Sequence, residues 1–204
     1  MSNSQAQPFD LDVSGKHISA YIEMLNAALV SYNRFVYDSE ERAKGLARQL
    51  LESGVGEFSA PFGRIVLSED KPAGALTCLT GRQLAGARFK AMAAIHRGSI
   101  MSATEVARAK AAGQLLVSVK KEDLYLCAIA VADHARGKGL GRVLMNNCVE
   151  QAKENQCARI VLEVSSEAEL ARDWYLREGF LDLEDRRIED DFRSLHLYQM
   201  AKIL

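Results

Sequence analysis

The chain has 204 residues, the size of one ordinary domain, and 48% of them are hydrophobic, which is ample for a buried core. Its 26 lysine and arginine residues nearly balance its 27 aspartate and glutamate residues. A nucleic-acid-binding surface usually brings a basic excess, so the composition argues against a nucleic-acid partner.

The sequence predicts neither a targeting peptide nor a membrane segment. The first 16 residues lack the basic and apolar regions of a signal peptide, and no apolar run approaches the roughly 20 residues that cross a bilayer. The four cysteines have no metal-ligand spacing, and three of them lie in apolar runs, where a thiol is usually a small buried hydrophobe. We therefore expect a soluble cytoplasmic protein with no membrane contact and no metal site.

The N-terminal third of the chain predicts two helices followed by a β-hairpin. Apolar side chains in residues 17–37 recur at steps of three and four, which indicates an amphipathic helix, and a second helix is predicted over residues 39–51. The stretch GRIVLSEDKPAGALTCLTG predicts a hairpin whose turn lies at Asp70-Lys71-Pro72.

Residues 82–120 are predicted to be helical and to form an insertion, because they are too short to bury a core of their own. This insertion is a candidate lid or a candidate surface for a homodimer. We expect its basic side chains to form a solvated face: Arg82, Arg88, Lys90, Arg97, Arg108 and Lys110.

The centre of the chain predicts a strand, a helix and a second strand. Residues 124–131, LYLCAIAV, are apolar on both alternating faces, as in a central strand that is covered on both sides. An amphipathic helix follows, and then RIVLEV at 159–164. This βαβ order predicts a parallel strand pair. With a further helix at 167–179 and a closing strand at 195–204, residues 1–204 are interpreted as one α/β domain.

A glycine-rich and basic segment, RGKGLGR at residues 136–142, joins the central strand to its helix. The first amides of a helix are free and carry a partial positive charge, and glycine lets the backbone approach a ligand closely. The segment therefore predicts a phosphate-binding site, with a solvated turn as the alternative. A dinucleotide fingerprint is weakened because Arg142 stands in place of its third glycine, although Glu163 lies at the distance of a ribose contact. An NAD-dependent oxidoreductase is therefore a further alternative.

The segment LYLCAIAVADHARGKGLGRVLM resembles the central motif of the GCN5-related N-acetyltransferase (GNAT) superfamily, whose signature [RQ]-x-x-G-x-[GA] follows the fourth strand. The segment ELARDWYLREGF is similar to a later helix of that family, and together the two cover residues 124–180. The resemblance implies a mixed, centrally splayed β-sheet flanked by helices, the acyl-CoA N-acyltransferase fold. It also implies acetyl-CoA as the acetyl donor.

The resemblance implies a role for each matching position. The strand residues Ile129, Ala130 and Val131 would hold the pantetheine arm, and Tyr175 would protonate the departing thiolate, with a core aromatic as the alternative for Tyr175. Around the pyrophosphate the resemblance places Arg136, Gly137, Lys138, Gly139, Leu140, Gly141 and Arg142. For Lys138, a solvated loop charge is an equal alternative.

Two positions depart from the family pattern. Ala168 stands where an asparagine often contacts the cofactor, and Cys127 stands where relatives can carry a carboxylate. A general base or a water chain is still needed. Glu163 is the first candidate because its apolar neighbours can raise its pKa, with an equal alternative in which its side chain points to a solvated face. The other candidates are Glu122, Asp123 and His134. Cys127 is disfavoured as a covalent nucleophile because no histidine partner is evident.

The acceptor is expected to be a primary amine of a small molecule or a peptide, which attacks the thioester directly in a ternary complex. Residues that are candidates to line its site are Tyr21, Tyr32, Asn33, Tyr37 and Asp38. For the tyrosines, which recur at helical spacing, half-buried packing is the alternative. The main alternative is an acyl-CoA sensor that binds the donor without turnover, because of Ala168 and Cys127.

Overall fold

A computed structural model describes residues 7–12, 15–98 and 101–204. Within these residues the chain forms a seven-stranded mixed sheet flanked by seven α-helices, so the predicted α/β class is confirmed. The helices are α1 (Ile18–Ala28), α2 (Val30–Val36), α3 (Glu40–Glu52), α4 (Gly81–Gly98), α5 (Ala103–Gly113), α6 (Leu140–Glu154) and α7 (Glu169–Arg177). The strands are β1 (Phe9–Asp10), β2 (Gly63–Ser68), β3 (Lys71–Thr80), β4 (Asp123–Val131), β5 (Arg159–Ser165), β6 (Leu181–Glu189) and β7 (Ser194–Ile203).

The strand order in the sheet is β1-β2-β3-β4-β5-β7-β6. Strands β4 and β5 are parallel and are joined through α6, as the βαβ pattern predicted, while the other described neighbours pair antiparallel.

Strands β4 and β5 separate soon after they begin. They pair at Asp123–Arg159, Leu124–Ile160 and Tyr125–Val161, and no further pairing between them occurs in the described residues. On its other edge β4 pairs with β3, where a register shift leaves Cys127 as an extra residue. Such a β-bulge bends a strand and increases its twist. The splayed centre of the sheet is therefore confirmed.

Helices cover both faces of this sheet. On one face α6 and α7 pack over a core in which Leu144, Met145 and Cys148 contact the sheet residues Leu76 and Leu126. Successive residues of a strand point to opposite faces, so the neighbouring strand positions serve the second face.

On the second face, α1 and α3 pack over β2 and β3, where Tyr21 is buried and its hydroxyl lies 2.6 Å from that of Thr77. Helix α4 packs on the same face through Leu84 and Ala87, against Tyr125 and Val161. The second face therefore brings helices from the N-terminal third and from residues 81–98 to the place where β4 and β5 part.

Two local predictions were wrong, and one strand was missed. The helix predicted over residues 17–37 is two helices, because Leu29 leaves the helical region at φ −110° and ψ 18°. The hairpin turn lies at Glu69-Asp70, both with positive φ as in a two-residue type I′ turn, and Pro72 lies within β3. Strand β6 was not predicted, since eight of its nine residues are exposed and it has no buried apolar face.

Among the described residues, no helix combines the length and the apolar character that a membrane span requires.

Candidate functional site

A cavity of about 1690 Å³ fills the gap between β4 and β5. Residues 126–131 of β4 and 163–165 of β5 line its centre, the first turn of α6 lies at one end, and α1, α2 and α4 lie at the other. A pocket for one small ligand is typically about 300–1,000 Å³. The cavity is therefore large enough for two reactants that meet at the separation of the strands.

The first turn of α6 presents free backbone amides to this cavity. Gly137 and Gly139 have φ of 76° and 79°, a left-handed conformation that favours glycine, and Gly139 is the N-cap of the helix. The amides of residues 137–141 donate to no acceptor in the described part of the chain. Consecutive free amides at the positive end of a helix dipole bind phosphate. The segment therefore fits a diphosphate group.

The basic side chains beside these amides differ in their placement. Arg136 and Arg142 line the cavity and are each 71% exposed, although they pair with Asp133 and Glu178 respectively. Lys138 does not line the cavity, and its Nζ lies 3.5 Å from a carboxylate oxygen of Glu69. Two of the three predicted cations are thus available at the cavity mouth.

The edge of β4 that faces β5 is open beyond Tyr125. Ile129, Ala130 and Val131 lie on this part of the strand, and all three line the cavity. An extended ligand with amide groups can pair with such an edge in the manner of an added strand. This geometry fits the pantetheine arm of the donor.

Tyr175 lies on α7 and lines the cavity from the α6 side. Its ring packs against Trp174 and Phe180, and its hydroxyl makes no hydrogen bond within the described residues. Burial raises its pKa well above the ordinary value of 10. The phenol therefore stays protonated at neutral pH and has a hydrogen-bond donor to spare.

Glu163 lies on β5, on the opposite wall of the cavity. Its carboxylate accepts hydrogen bonds from the Val117 amide at 2.5 Å and from the Tyr125 hydroxyl at 2.8 Å. Burial raises the pKa of Glu163 to about 7, and these two hydrogen bonds and the charge of Arg88 oppose the rise. A carboxyl with a pKa near 7 is suited to accept a proton at neutral pH.

The other candidate bases are placed elsewhere. Glu122 and His134 are exposed and do not line the cavity. Asp123 is buried, and its oxygens accept from Arg159 at 2.7 Å and from the Lys120 amide at 2.6 Å. Of the four candidate bases, Glu163 is therefore the one that lines the cavity.

Cys127 lines the cavity, but burial, reinforced by the charge of Glu57, raises the pKa of its thiol well above 9. A neutral thiol is a poor nucleophile, which agrees with the expectation that Cys127 does not act as a covalent nucleophile.

The far end of the cavity contains three of the five predicted acceptor residues, Tyr32, Asn33 and Tyr37. Tyr21 is instead buried against Thr77, and Asp38 pairs with Arg108 and Arg193. Neither of these two lines the cavity.

An ion pair that the sequence did not indicate also lies at this end. Arg88 of α4 donates from Nε to Glu57 at 2.9 Å, and its guanidinium carbon lies 5.4 Å from the centre of the Tyr125 ring. Both charged residues line the cavity. The prediction of a solvated face is therefore wrong for Arg88, and also for Arg108, which is 16% exposed and pairs with Asp38 and Asp190. The other four residues of that predicted face, Arg82, Lys90, Arg97 and Lys110, are exposed.

The model of the acetyltransferase (GNAT) family matches residues 57–180, which contain β2 to α7 and both walls of the gap. The chain belongs to this family. A search of curated protein sequences gives no match.

Solved structures share the GNAT fold over nearly the whole chain. One described as an acetyltransferase has a TM-score of 0.65 at 18% identity, with 96% of this chain and 98% of that chain covered. A ribosomal-protein-alanine N-acetyltransferase from Brucella melitensis has a TM-score of 0.56 at 17% identity, with 97% and 99% covered. An acetyltransferase from Bacillus subtilis in complex with CoA has a TM-score of 0.56 at 13% identity, with 98% and 99% covered. At these identities the likeness shows the fold.

The position of Arg88 in the sequence is unusual in a way that could have marked it as a site residue. Arg88 lies on the same stripe of α4 as the buried residues Leu84 and Ala87, where a charged side chain is unexpected. Its partner Glu57 lies between α3 and β2 and has no periodic pattern around it. Only the folded chain brings the two together.

Proposed function

We propose that this GNAT protein transfers an acetyl group from acetyl-CoA to a primary amine by direct attack in a ternary complex. One observation carries the proposal: a single cavity connects the free amides of residues 137–141 with the half-buried carboxyl of Glu163 across the gap between β4 and β5. The family match favours this activity over the dinucleotide-dependent oxidoreductase.

The donor would lie along β4. The amides of residues 137–141 would bind the diphosphate, with Arg136 and Arg142 adding charge at the mouth. The open edge at Ile129 and Val131 would hold the pantetheine arm by backbone hydrogen bonds. Such binding directs the thioester toward the place where the strands separate, next to Cys127.

Glu163 would act as the general base. An alkylammonium has a pKa of roughly 10.4 and must lose a proton before it can attack. A carboxyl whose pKa is about 7 is ionised for about half of the molecules at pH 7 and can accept that proton. The hydrogen bonds from Val117 and Tyr125 hold the carboxyl in place.

Tyr175 would serve the leaving group. The thiol of the coenzyme should resemble cysteine, with a pKa of roughly 8.5, so the thiolate needs stabilisation as the tetrahedral intermediate collapses. A phenol that burial keeps protonated can donate to that sulfur. Most of the remaining rate enhancement would come from positioning the two reactants.

The acceptor is proposed to be an amine of a small molecule or a peptide. The name of the Brucella melitensis neighbour specifies a protein alanine as acceptor, and another neighbour, the NatC complex, is bound to a peptide and CoA, with a TM-score of 0.57 at 13% identity. These examples support a cavity of this kind accepting a peptide amine. A cytoplasmic location and a homodimer are part of the same proposal.

The test is release of free thiol from acetyl-CoA with a panel of primary amines, with wild-type protein, Glu163→Gln and the matched control Glu122→Gln. We expect turnover with at least one amine, a loss of about 100-fold or more in kcat/KM for Glu163→Gln, and no change for Glu122→Gln. Tight binding of acetyl-CoA without turnover on any amine would instead indicate the sensor.

A further inference from the structure

Arg88 lines the acceptor end of the cavity, and its side chain carries a hydrogen-bond donor that meets no acceptor among the described residues. Nη2 of Arg88 is buried and finds no acceptor among the described residues, while Nε of the same side chain is held by Glu57. A guanidinium carries five N–H donors in a planar fork. A buried donor that lacks an acceptor costs about 1–3 kcal/mol. A ligand oxygen that reached Nη2 from the cavity would remove that cost.

The charges around Arg88 indicate which oxygen fits. Glu57 already neutralises the guanidinium, so a further full negative charge is not needed. Glu163 lies within electrostatic reach of both Arg88 and Glu57, and a second anion would be repelled by the two carboxylates. The other titratable groups there, Tyr32 and Tyr125 with Cys127, are neutral because burial raises the pKa of each. A neutral carbonyl oxygen matches this surrounding best.

The same arrangement disfavours two other kinds of amine. A simple alkylamine leaves Nη2 without an acceptor. A polyamine brings a second ammonium group toward the guanidinium of Arg88, and like charges at close range repel. An α-amino amide carries its amine and its carbonyl oxygen on neighbouring carbons, so one ligand of this class offers both groups to a cavity that Glu163 and Arg88 line together.

We infer that Arg88 is a specificity-determining residue, whose Nη2 binds the carbonyl oxygen adjacent to the acceptor amine, and that the acceptors are α-amino amides such as peptide N-termini or amino-acid amides. This inference rests on the proposed function, since it concerns the acceptor of the same cavity. Side chains of Met92 and Ile95 on α4 add an apolar wall, which suits an apolar side chain on the acceptor.

Four probe amines separate the contributions: leucinamide, the dipeptide amide leucyl-glycinamide, free leucine, and isoamylamine, which keeps the leucine side chain but lacks the carbonyl. One hydrogen bond to a charged group is worth about 1.5–3 kcal/mol, so kcat/KM for leucinamide should exceed that for isoamylamine by about 10- to 100-fold. Free leucine should be acetylated with a lower kcat/KM than leucinamide, because its carboxylate brings a second anion beside Glu57 and Glu163. The ratio of the dipeptide amide to leucinamide distinguishes a peptide from a small-molecule acceptor.

The decisive variant is the double substitution Arg88→Met with Glu57→Gln, because it removes both charges together and leaves neither buried without its partner. The ratio of kcat/KM for leucinamide to kcat/KM for isoamylamine should fall to about 1, mainly through a higher KM for leucinamide. The matched control Lys90→Met, at an exposed position of the same helix, should keep the wild-type ratio. Circular dichroism confirms that the variants are folded.

The outcomes separate this inference from the proposed function. If amines are acetylated but the ratio of kcat/KM for leucinamide to that for isoamylamine is the same in wild type and in the double variant, the role of Arg88 is overturned and the acetyltransferase activity stands. If no amine is acetylated, the proposed function fails, and calorimetric titration of leucinamide into the CoA complex then decides on Arg88. Binding that weakens about 10-fold or more in the double variant supports it, and unchanged or absent binding overturns it.

Discussion

Replacing Glu163 by glutamine should stabilise the fold at alkaline pH while it removes the proposed base. Glutamine keeps the shape of the side chain. Its oxygen can accept from the Val117 amide, and its amide nitrogen can donate to the Tyr125 hydroxyl, whose proton rotates freely. The substitution therefore removes the charge and leaves no buried polar group without a partner.

The magnitude follows from the pKa of the carboxyl in the two states. In the folded protein it is about 7, and the ordinary value is 4.5, a difference of about 2.5 units. Because the folded pKa is the higher one, Glu163 costs nothing below about pH 4.5, where both states are protonated. As pH rises from about 4.5 to about 7 the unfolded state ionises while the folded state stays protonated, so stability is lost over this range and the loss levels off above it. At 1.36 kcal/mol per unit the loss is about 3 kcal/mol above pH 8.

Scanning calorimetry at pH 5 and pH 8.5 measures this difference. For a chain of this length Tm changes by about 2–4 °C for each kcal/mol of stability, so Glu163→Gln should melt roughly 6 to 12 °C above wild type at pH 8.5 and within about 3 °C of it at pH 5. Glu122→Gln, at an exposed position, should follow wild type at both pH values. A difference in Tm that is the same at pH 5 and pH 8.5 would refute the raised pKa of the Glu163 carboxyl.

Three further predictions concern the α6 turn, the leaving group and the fold. Gly139→Ala should lower the free energy of unfolding by about 1 kcal/mol, because a φ of 79° strains a residue that has a Cβ. The same variant should bind CoA roughly 10-fold more weakly in calorimetric titration, and equal affinity would contradict diphosphate binding by the amides of residues 137–141. Tyr175→Phe should lower kcat by about 100-fold with the KM for acetyl-CoA and the Tm unchanged, and an unaltered kcat would remove it as the acid. Arg193→Ala should cost about 2 kcal/mol in chemical unfolding, because Nη1 donates to the carbonyls of residues 34, 35 and 37 at the end of α2. Arg187→Ala, at an exposed ion pair, should stay within about 0.5 kcal/mol, and equal losses for the two arginine variants would contradict the capping role.

The central βαβ unit was predictable because its sequence carries two independent signals. A strand such as β4, buried on both faces, must be apolar throughout, and the glycines before α6 meet a backbone requirement that other residues satisfy poorly. Strand β6 has neither signal. It lies at the edge of the sheet, is solvated along its length and is held by pairing with β7, which leaves no periodicity in the sequence.

The donor half of the candidate site was more predictable than the acceptor half for a related reason. The residues at 129–131 and 136–142 form one continuous segment, so a local pattern describes them. The acceptor half assembles Glu57, Arg88, Tyr125 and Glu163 from four separate elements of the chain, and their meeting depends on tertiary packing. Sequence alone named Glu163 among the candidate bases. The position of Arg88 on the apolar stripe of α4 marked that residue as unusual but did not indicate that Glu57 and Glu163 lie near it.

Calorimetric titration with acetyl-CoA and with acetyl-pantetheine, which lacks the diphosphate and the nucleotide, tests the central claim most directly. If the amides of residues 137–141 bind the diphosphate, acetyl-CoA should bind at least about 10-fold more tightly than acetyl-pantetheine, and added salt should reduce this difference in affinity. Equal affinities for the two compounds would contradict this account of the cavity.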